Sequence, residues 1–125
     1  MTYLLDVNIL IAVLWITHTH HAKADAWIKG KRLALCPISE MGFLRISSHP
    51  RGLGARMADA EALLEKFYVE LHPEFIAADI SCRALRARNS NAVSDIYLAR
   101  LADQHKMKLA TLDTSISHHA VEIIQ

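Results

Sequence analysis

Short apolar runs that stop near an acidic residue alternate with stretches of helical period along the whole chain. Leu4-Leu5 ends on Asp6, and Leu109-Ala110-Thr111-Leu112 ends on Asp113. Glu40 follows Pro37-Ile38-Ser39, and Asp95 follows Ser94 at the head of a helical run. Strands that alternate with helices in this way pair in parallel, because each helical crossover carries the chain back to the same edge of the sheet. The expected fold is a three-layer α/β/α single domain over residues 1–125, with a central, mostly parallel sheet. In such sheets ligands bind at the carboxyl edge, where these four acids should fall.

The periodicities place strands at Thr2 to Asp6, Leu33 to Cys36 and Lys108 to Leu112, with a weaker one at Glu74 to Ala77. A last, edge strand is expected at Val121 to Ile124. Asn8 is expected to cap a helix from Ile9 to Ile16. A second helix should run from His20 to Ile28 with Ala22, Ala26 and Trp27 inward, stopped by Gly30. Ser39 is expected to cap a helix through Ile46, and Ala55 to Leu71 repeats apolar residues at 3.6 spacing. Asp79 to Arg88 reads as helical, with Ile80, Ala84 and Leu85 in the core. Ser94 should cap a helix from Asp95 to His105, which is apolar on much of its circumference and therefore central.

Fourteen basic against thirteen acidic residues leave a net charge of +1. That excludes a protein that coats nucleic acid by bulk charge, so any such binding needs local patches or cations that offset the acids. Cys36 and Cys82 form no disulfide framework, which fits a reducing cytoplasm. The apolar N-terminal stretch is interrupted by Asp6 and Asn8, so neither a signal peptide nor a membrane span is expected.

Taken singly, each of the four acids has an ordinary explanation as a turn, cap or first-turn residue. Their joint position at element boundaries sets them apart from Asp25, Asp59, Glu61, Glu65, Glu70 and Asp103, which lie at helical spacing among other charges. Four carboxylates in one crevice stay ionised only with cations between them. An oxygen-only donor set suits Mg²⁺ or Mn²⁺ better than Zn²⁺. Such ions serve phosphoryl chemistry. Asn8, beside Asp6, is placed to orient a ligating oxygen.

Four blocks together resemble the PIN-domain ribonucleases, above all the VapC-type toxins of bacterial toxin–antitoxin modules. They are Leu5-Asp6-Val7-Asn8-Ile9-Leu10-Ile11, Cys36-Pro37-Ile38-Ser39-Glu40-Met41-Gly42-Phe43-Leu44-Arg45, Val93-Ser94-Asp95-Ile96-Tyr97-Leu98-Ala99 and Leu109-Ala110-Thr111-Leu112-Asp113. The resemblance implies that Asp6, Glu40, Asp95 and Asp113 are the catalytic, metal-binding carboxylates, with Asn8, Ser94 and Thr111 supporting them. It implies Mg²⁺- or Mn²⁺-dependent cleavage of single-stranded or looped RNA, often transfer RNA, leaving a 5′-phosphate and a 3′-hydroxyl. It also implies a cytoplasmic homodimer inhibited by a cognate antitoxin. The chain departs from the pattern in having Thr114-Ser115 after Asp113, where the family often has a basic residue and Gly, and Ser94 where it often has Thr.

Among the basic residues, Arg45 is the expected RNA contact, with Arg51, Arg56 and Arg88 as further candidates; Arg83, Arg86 and Arg88 read as a solvated helix face. His18, His20 and His21, and His118-His119, invite a zinc site but lack structural-zinc spacing. Trp15 and Trp27 read as core or interface. Two other functions fit the acids: a phosphatase-type hydrolase with Asp6 as nucleophile, and a non-catalytic ion-binding module.

Overall fold

The computed structural model describes residues 1–125. The elements run β1 (Thr2–Leu5), α1 (Val7–Leu14), α2 (His21–Ile28), β2 (Arg32–Leu35), α3 (Pro37–Ser48), α4 (Met57–Leu71), β3 (Glu74–Phe75), α5 (Val93–Gln104), β4 (Lys108–Thr111) and β5 (Val121–Ile123). A 3₁₀ turn over Ser90–Ala92 leads into α5. The five strands form one sheet in the order β3-β2-β1-β4-β5, and every neighbouring pair is parallel. β1 pairs with β2 on one side and β4 on the other, so the strand order reverses between β1 and β4. A crevice opens at such a point, beyond the carboxyl ends of the two strands.

Alternation along the strands sorts the core into two halves. Leu5, Leu33, Leu35 and Ala110 face α1, α2 and α4 in one cluster, with Ile9, Leu10, Phe43 and Phe67. Leu4, Ala34, Cys36 and Leu109 face α5 in the other, with Leu98, Leu101 and Ala102. The expected three layers and the central α5 are therefore present. Within α2 the inward residues are Ala24 and Ile28, not Ala22 and Ala26, which are exposed. Trp27 is half-buried and meets Tyr3 edge-on at 5.0 Å.

Three expected caps are displaced. Asp6, not Asn8, caps α1, because the ladder to β4 runs on through Asp6 N–H to Ala110 O and the chain turns there. α3 begins at Pro37, a position that suits proline because its missing N–H would be free anyway. Ser39 is buried and donates to Leu5 O at 2.8 Å. α5 begins at Val93, so Ser94 lies inside its first turn and makes no cap bond; Asn89 caps the preceding 3₁₀ turn instead.

The expected helix from Asp79 to Arg88 is an irregular segment. Ala84 and Arg86 both adopt φ of 60°. Groups on α5 take the carbonyls a helix would need: Tyr97 Oη donates to Ile80 O at 2.9 Å and Arg100 to Ala84 O at 3.1 Å. Leu85 is buried as expected, whereas Ala84 is exposed.

α1 and α3 approach closely at Gly42, where an added Cβ would overlap the Val7 methyls. Helix propensity alone favours alanine over glycine by about 0.8–1 kcal/mol, so a net loss can only come from this overlap. Gly42→Ala should destabilise the fold by about 1–3 kcal/mol, and Val7→Ala in the same chain should recover most of it. Urea midpoints of the two variants check this; a raised midpoint in Gly42→Ala, the bare propensity gain, would refute the close contact.

Candidate active site

The crevice is built around a buried carboxylate. Asp6 is only 4% exposed. One of its oxygens accepts Val7 N–H at 2.7 Å and the other the Thr111 hydroxyl at 2.8 Å. Thr111, last residue of β4, is fully buried. Its oxygen accepts Asn8 Nδ2 and Asp113 N–H, each at 3.0 Å. One donated and two accepted bonds exhaust a hydroxyl. Asn8 Oδ1 accepts Leu112 N–H at 3.1 Å, and its Nδ2 lies 3.4 Å from Asp6. Asp6, Asn8, Thr111 and the backbone leading to Asp113 thus form one network across the ends of β1 and β4. No buried side-chain polar atom is left without a partner.

Two further acids feel this charge. Asp95, on the first turn of α5, has its pKa raised from an ordinary 3.8 to about 6, first by burial and then by repulsion from Asp6 and Asp113. Burial is also the main cause raising Asp6; its bonds to Thr111 and Val7 pull the other way, and Asp113 adds repulsion. Asp113 is held below the usual range because Ser115 donates both its hydroxyl (2.7 Å) and its N–H (2.8 Å) to one oxygen. Ser115, the second of the two residues that depart from the family pattern after Asp113, thus holds that acid.

Glu40 stands apart. It lies on the first turn of α3, next to the Ser39–Leu5 bond at the end of β1. Its carboxylate accepts the Tyr68 hydroxyl of α4 at 2.7 Å. Burial and this bond push the Tyr68 phenol above its ordinary range. Glu40 is not among the charges that raise Asp6 or Asp95. Tyr68 was missed in the sequence. Its one signal is a tyrosine beside Phe67 on the inward side of an amphipathic helix, where the hydroxyl needs a partner.

Asp6, Asn8, Ser94, Asp95 and Arg45 line one cleft of about 620 Å³, together with His49 and Arg51. Arg45 and Arg51 are therefore where an RNA contact was expected. Arg56 is not: it pairs with Asp59 at 3.8 Å at the start of α4.

The residues whose ligand atoms already lie within 4.8 Å of one another are Asp103, His118 and His119, a group that could hold a metal ion. This trio is at the opposite end of α5 from Asp95, about 12 Å along the axis at 1.5 Å per residue. His119 there pairs with Asp103 at 3.0 Å, and Ala120 N–H already occupies His118 Nδ1. No three of the four carboxylates come as close as 4.8 Å. Mg²⁺ keeps several waters of its own, so it suits a set of oxygens spaced too widely for direct contact with all of them.

A profile of the PIN domain family matches residues 3–122. The chain belongs to the PIN domain family. Ribonuclease VapC44 of Mycobacterium tuberculosis is 35% identical over 131 aligned positions, covering 97% of this chain and 92% of that protein. Ribonuclease VapC38 of the same organism is 32% identical over 121 residues, covering 90% of this chain and 86% of its own. Among solved structures, VapBC2 from Rickettsia felis bound to a DNA fragment from its promoter matches with a TM-score of 0.69 and 17% identity over the whole of both chains, a likeness of fold. No helix of this PIN domain is long and apolar enough to cross a membrane.

The crowding has a sign that stability measurements can read. The Asp95 pKa is about 6 folded against 3.8 ordinarily, so its contribution to stability is full below about pH 4 and is lost as pH rises through about 6. Asp95→Asn should therefore melt higher than the wild type at neutral pH in chelator, with the gap closing towards about pH 4. Mg²⁺ should also narrow it, by stabilising the wild type. Melting curves across that range check both; equal melting temperatures at neutral pH in chelator would mean that neither burial nor the neighbouring acids penalise the Asp95 charge.

Proposed function

We propose that this PIN domain is a divalent-metal-dependent endoribonuclease, a VapC-type toxin held in check by a cognate antitoxin. The observation that carries the reading is the meeting of Asp6, Asp95 and Asp113 at the carboxyl edge of the sheet, where Asp95 is pushed up to about 6 by burial and its acidic neighbours. Oxygen donors under mutual repulsion fit a hard divalent cation. Relatives 32–35% identical along nearly their whole length carry the name ribonuclease.

In this reading Asp6, Asp95, Asp113 and Glu40 hold Mg²⁺ or Mn²⁺, some of them through water. When bound, the cation would neutralise the crowded acids and the phosphodiester and make the attacking water more acidic. Thr111 and Asn8 keep Asp6 in one orientation, and Ser115 does the same for Asp113. Tyr68 holds Glu40. Ser94 lies in the cleft wall beside Asp95, and Arg45 binds a phosphate of the RNA. The water oxygen bonds to phosphorus while the P–O3′ bond breaks, and the 3′ oxygen takes up a proton. The products are a 3′-hydroxyl and a 5′-phosphate.

Asp6 as a covalent nucleophile is disfavoured, because both its oxygens are engaged and the group is 4% exposed. The substrate is RNA, with transfer RNA as one candidate. The working form is a cytoplasmic homodimer, bound by its antitoxin when silent.

Labelled RNA incubated with the purified chain should be cut with Mg²⁺ and left intact with chelator. Asp6→Asn should abolish cleavage while remaining folded, and Thr111→Val should slow it by about 10–100-fold through loss of orientation. Wild-type cleavage by Asp6→Asn, or cleavage indifferent to chelator, would overturn the reading.

A further inference from the structure

Asp95 belongs to two clefts, not one. The first carries Arg45, His49 and Arg51. The second, of about 240 Å³, shares only Asp95 with the first and carries Arg86 and Arg88 with Ser115 and Ser117. None of these four arginines takes part in an ion pair. Four unpaired guanidinium groups thus flank an acidic cluster in a chain whose net charge is only +1. Arg86 and Arg88 reach this position because their segment is not a helix. Arg86 holds φ of 60°, a left-handed conformation that a non-glycine residue seldom adopts.

We propose that Arg86 and Arg88 form a second phosphate-binding arm, so that one RNA strand crosses the acidic cluster with Arg45 and Arg51 on one side of the scissile phosphate and Arg86 and Arg88 on the other. The proposal rests on the ribonuclease reading and deepens it. The strand is single because Asp6 lies nearly buried at the base of the cleft, and only an unpaired strand bends that far in. Neither cleft carries Phe, Tyr or Trp. The grip is therefore ionic rather than by base stacking, and arginine suits phosphate through paired N–H donors. Guanidinium groups on both flanks also oppose the repulsion between the phosphates and the acids, which a one-sided arm would leave acting on half the strand.

The test is the salt dependence of binding. A fluorescently labelled single-stranded oligoribonucleotide is titrated with the full chain in chelator, where cleavage is suppressed, and anisotropy gives affinity at several salt concentrations. Each phosphate contact adds about 0.7 to the slope of log affinity against log salt for a single strand. Arg86→Gln with Arg88→Gln should weaken binding and lower the slope by about 1.4, as should Arg45→Gln with Arg51→Gln. Arg86→Lys with Arg88→Lys should keep most of the slope, since the charge remains; this also serves if the glutamine pair unfolds. Wild-type affinity and slope in the Arg86/Arg88 glutamine pair would overturn the second arm and leave those arginines to an acidic protein surface. A slope lost equally in the lysine pair would also overturn it, because the residues would then act by shape. If the wild type binds RNA with this salt dependence but never cuts it with Mg²⁺, the ribonuclease reading fails and the arms stand. If it cuts RNA and the glutamine pair behaves as wild type, only the second arm fails.

Discussion

The hydrogen bond between the Thr111 hydroxyl and Asp6, 2.8 Å long, joins the ends of the two central strands. Everything at the crevice refers back to it. A carboxylate that is 4% exposed is costly to keep charged. It is tolerated here because Val7 N–H and Thr111 both donate to it, and Asn8 ties Thr111 to the backbone at Leu112. The same threonine oxygen accepts Asp113 N–H, so one buried hydroxyl orients two acids from different strands.

The second constraint is electrostatic. Asp95 approaches this pair from α5, and burial first, then repulsion from Asp6 and Asp113, raises its pKa. Asp113 escapes because Ser115 supplies two donors to it. The result is an asymmetric set: one carboxylate fixed and buried, one stabilised by its own turn, and one left under strain beside them. Glu40 completes the fourfold sequence pattern from a separate anchorage, the Tyr68 hydroxyl. A divalent cation would relieve the strain on Asp95 most. Its first effect should therefore be on the protonation of that residue rather than on the position of Asp6.

Much of this was legible in the sequence because the signals are local. The apolar runs ending at Asp6 and Asp113 lie on adjacent parallel strands, and the apolar circumference of the Asp95 helix did mark a central element. What escaped was decided by partners far away along the chain. Ile80, Ala84 and Leu85 mimic a helical period, yet Tyr97 and Arg100 claim the carbonyls of Ile80 and Ala84. Asp6 and Asn8 are both good caps, and the ladder bond to Ala110, which no local pattern reveals, decides for Asp6. The Tyr68–Glu40 bond spans 28 residues. Arg86 and Arg88 fall on a solvated face only if their segment is a helix, which it is not.

In the proposed reading Asp6, Asp95 and Asp113, with Glu40, share a divalent cation at the carboxyl ends of β1 and β4. Anomalous diffraction from crystals of the chain soaked in Mn²⁺ tests it most directly. A manganese peak is expected in the crevice among Asp6, Asp95 and Asp113. A peak confined to Asp103, His118 and His119, with none among the carboxylates, would contradict it.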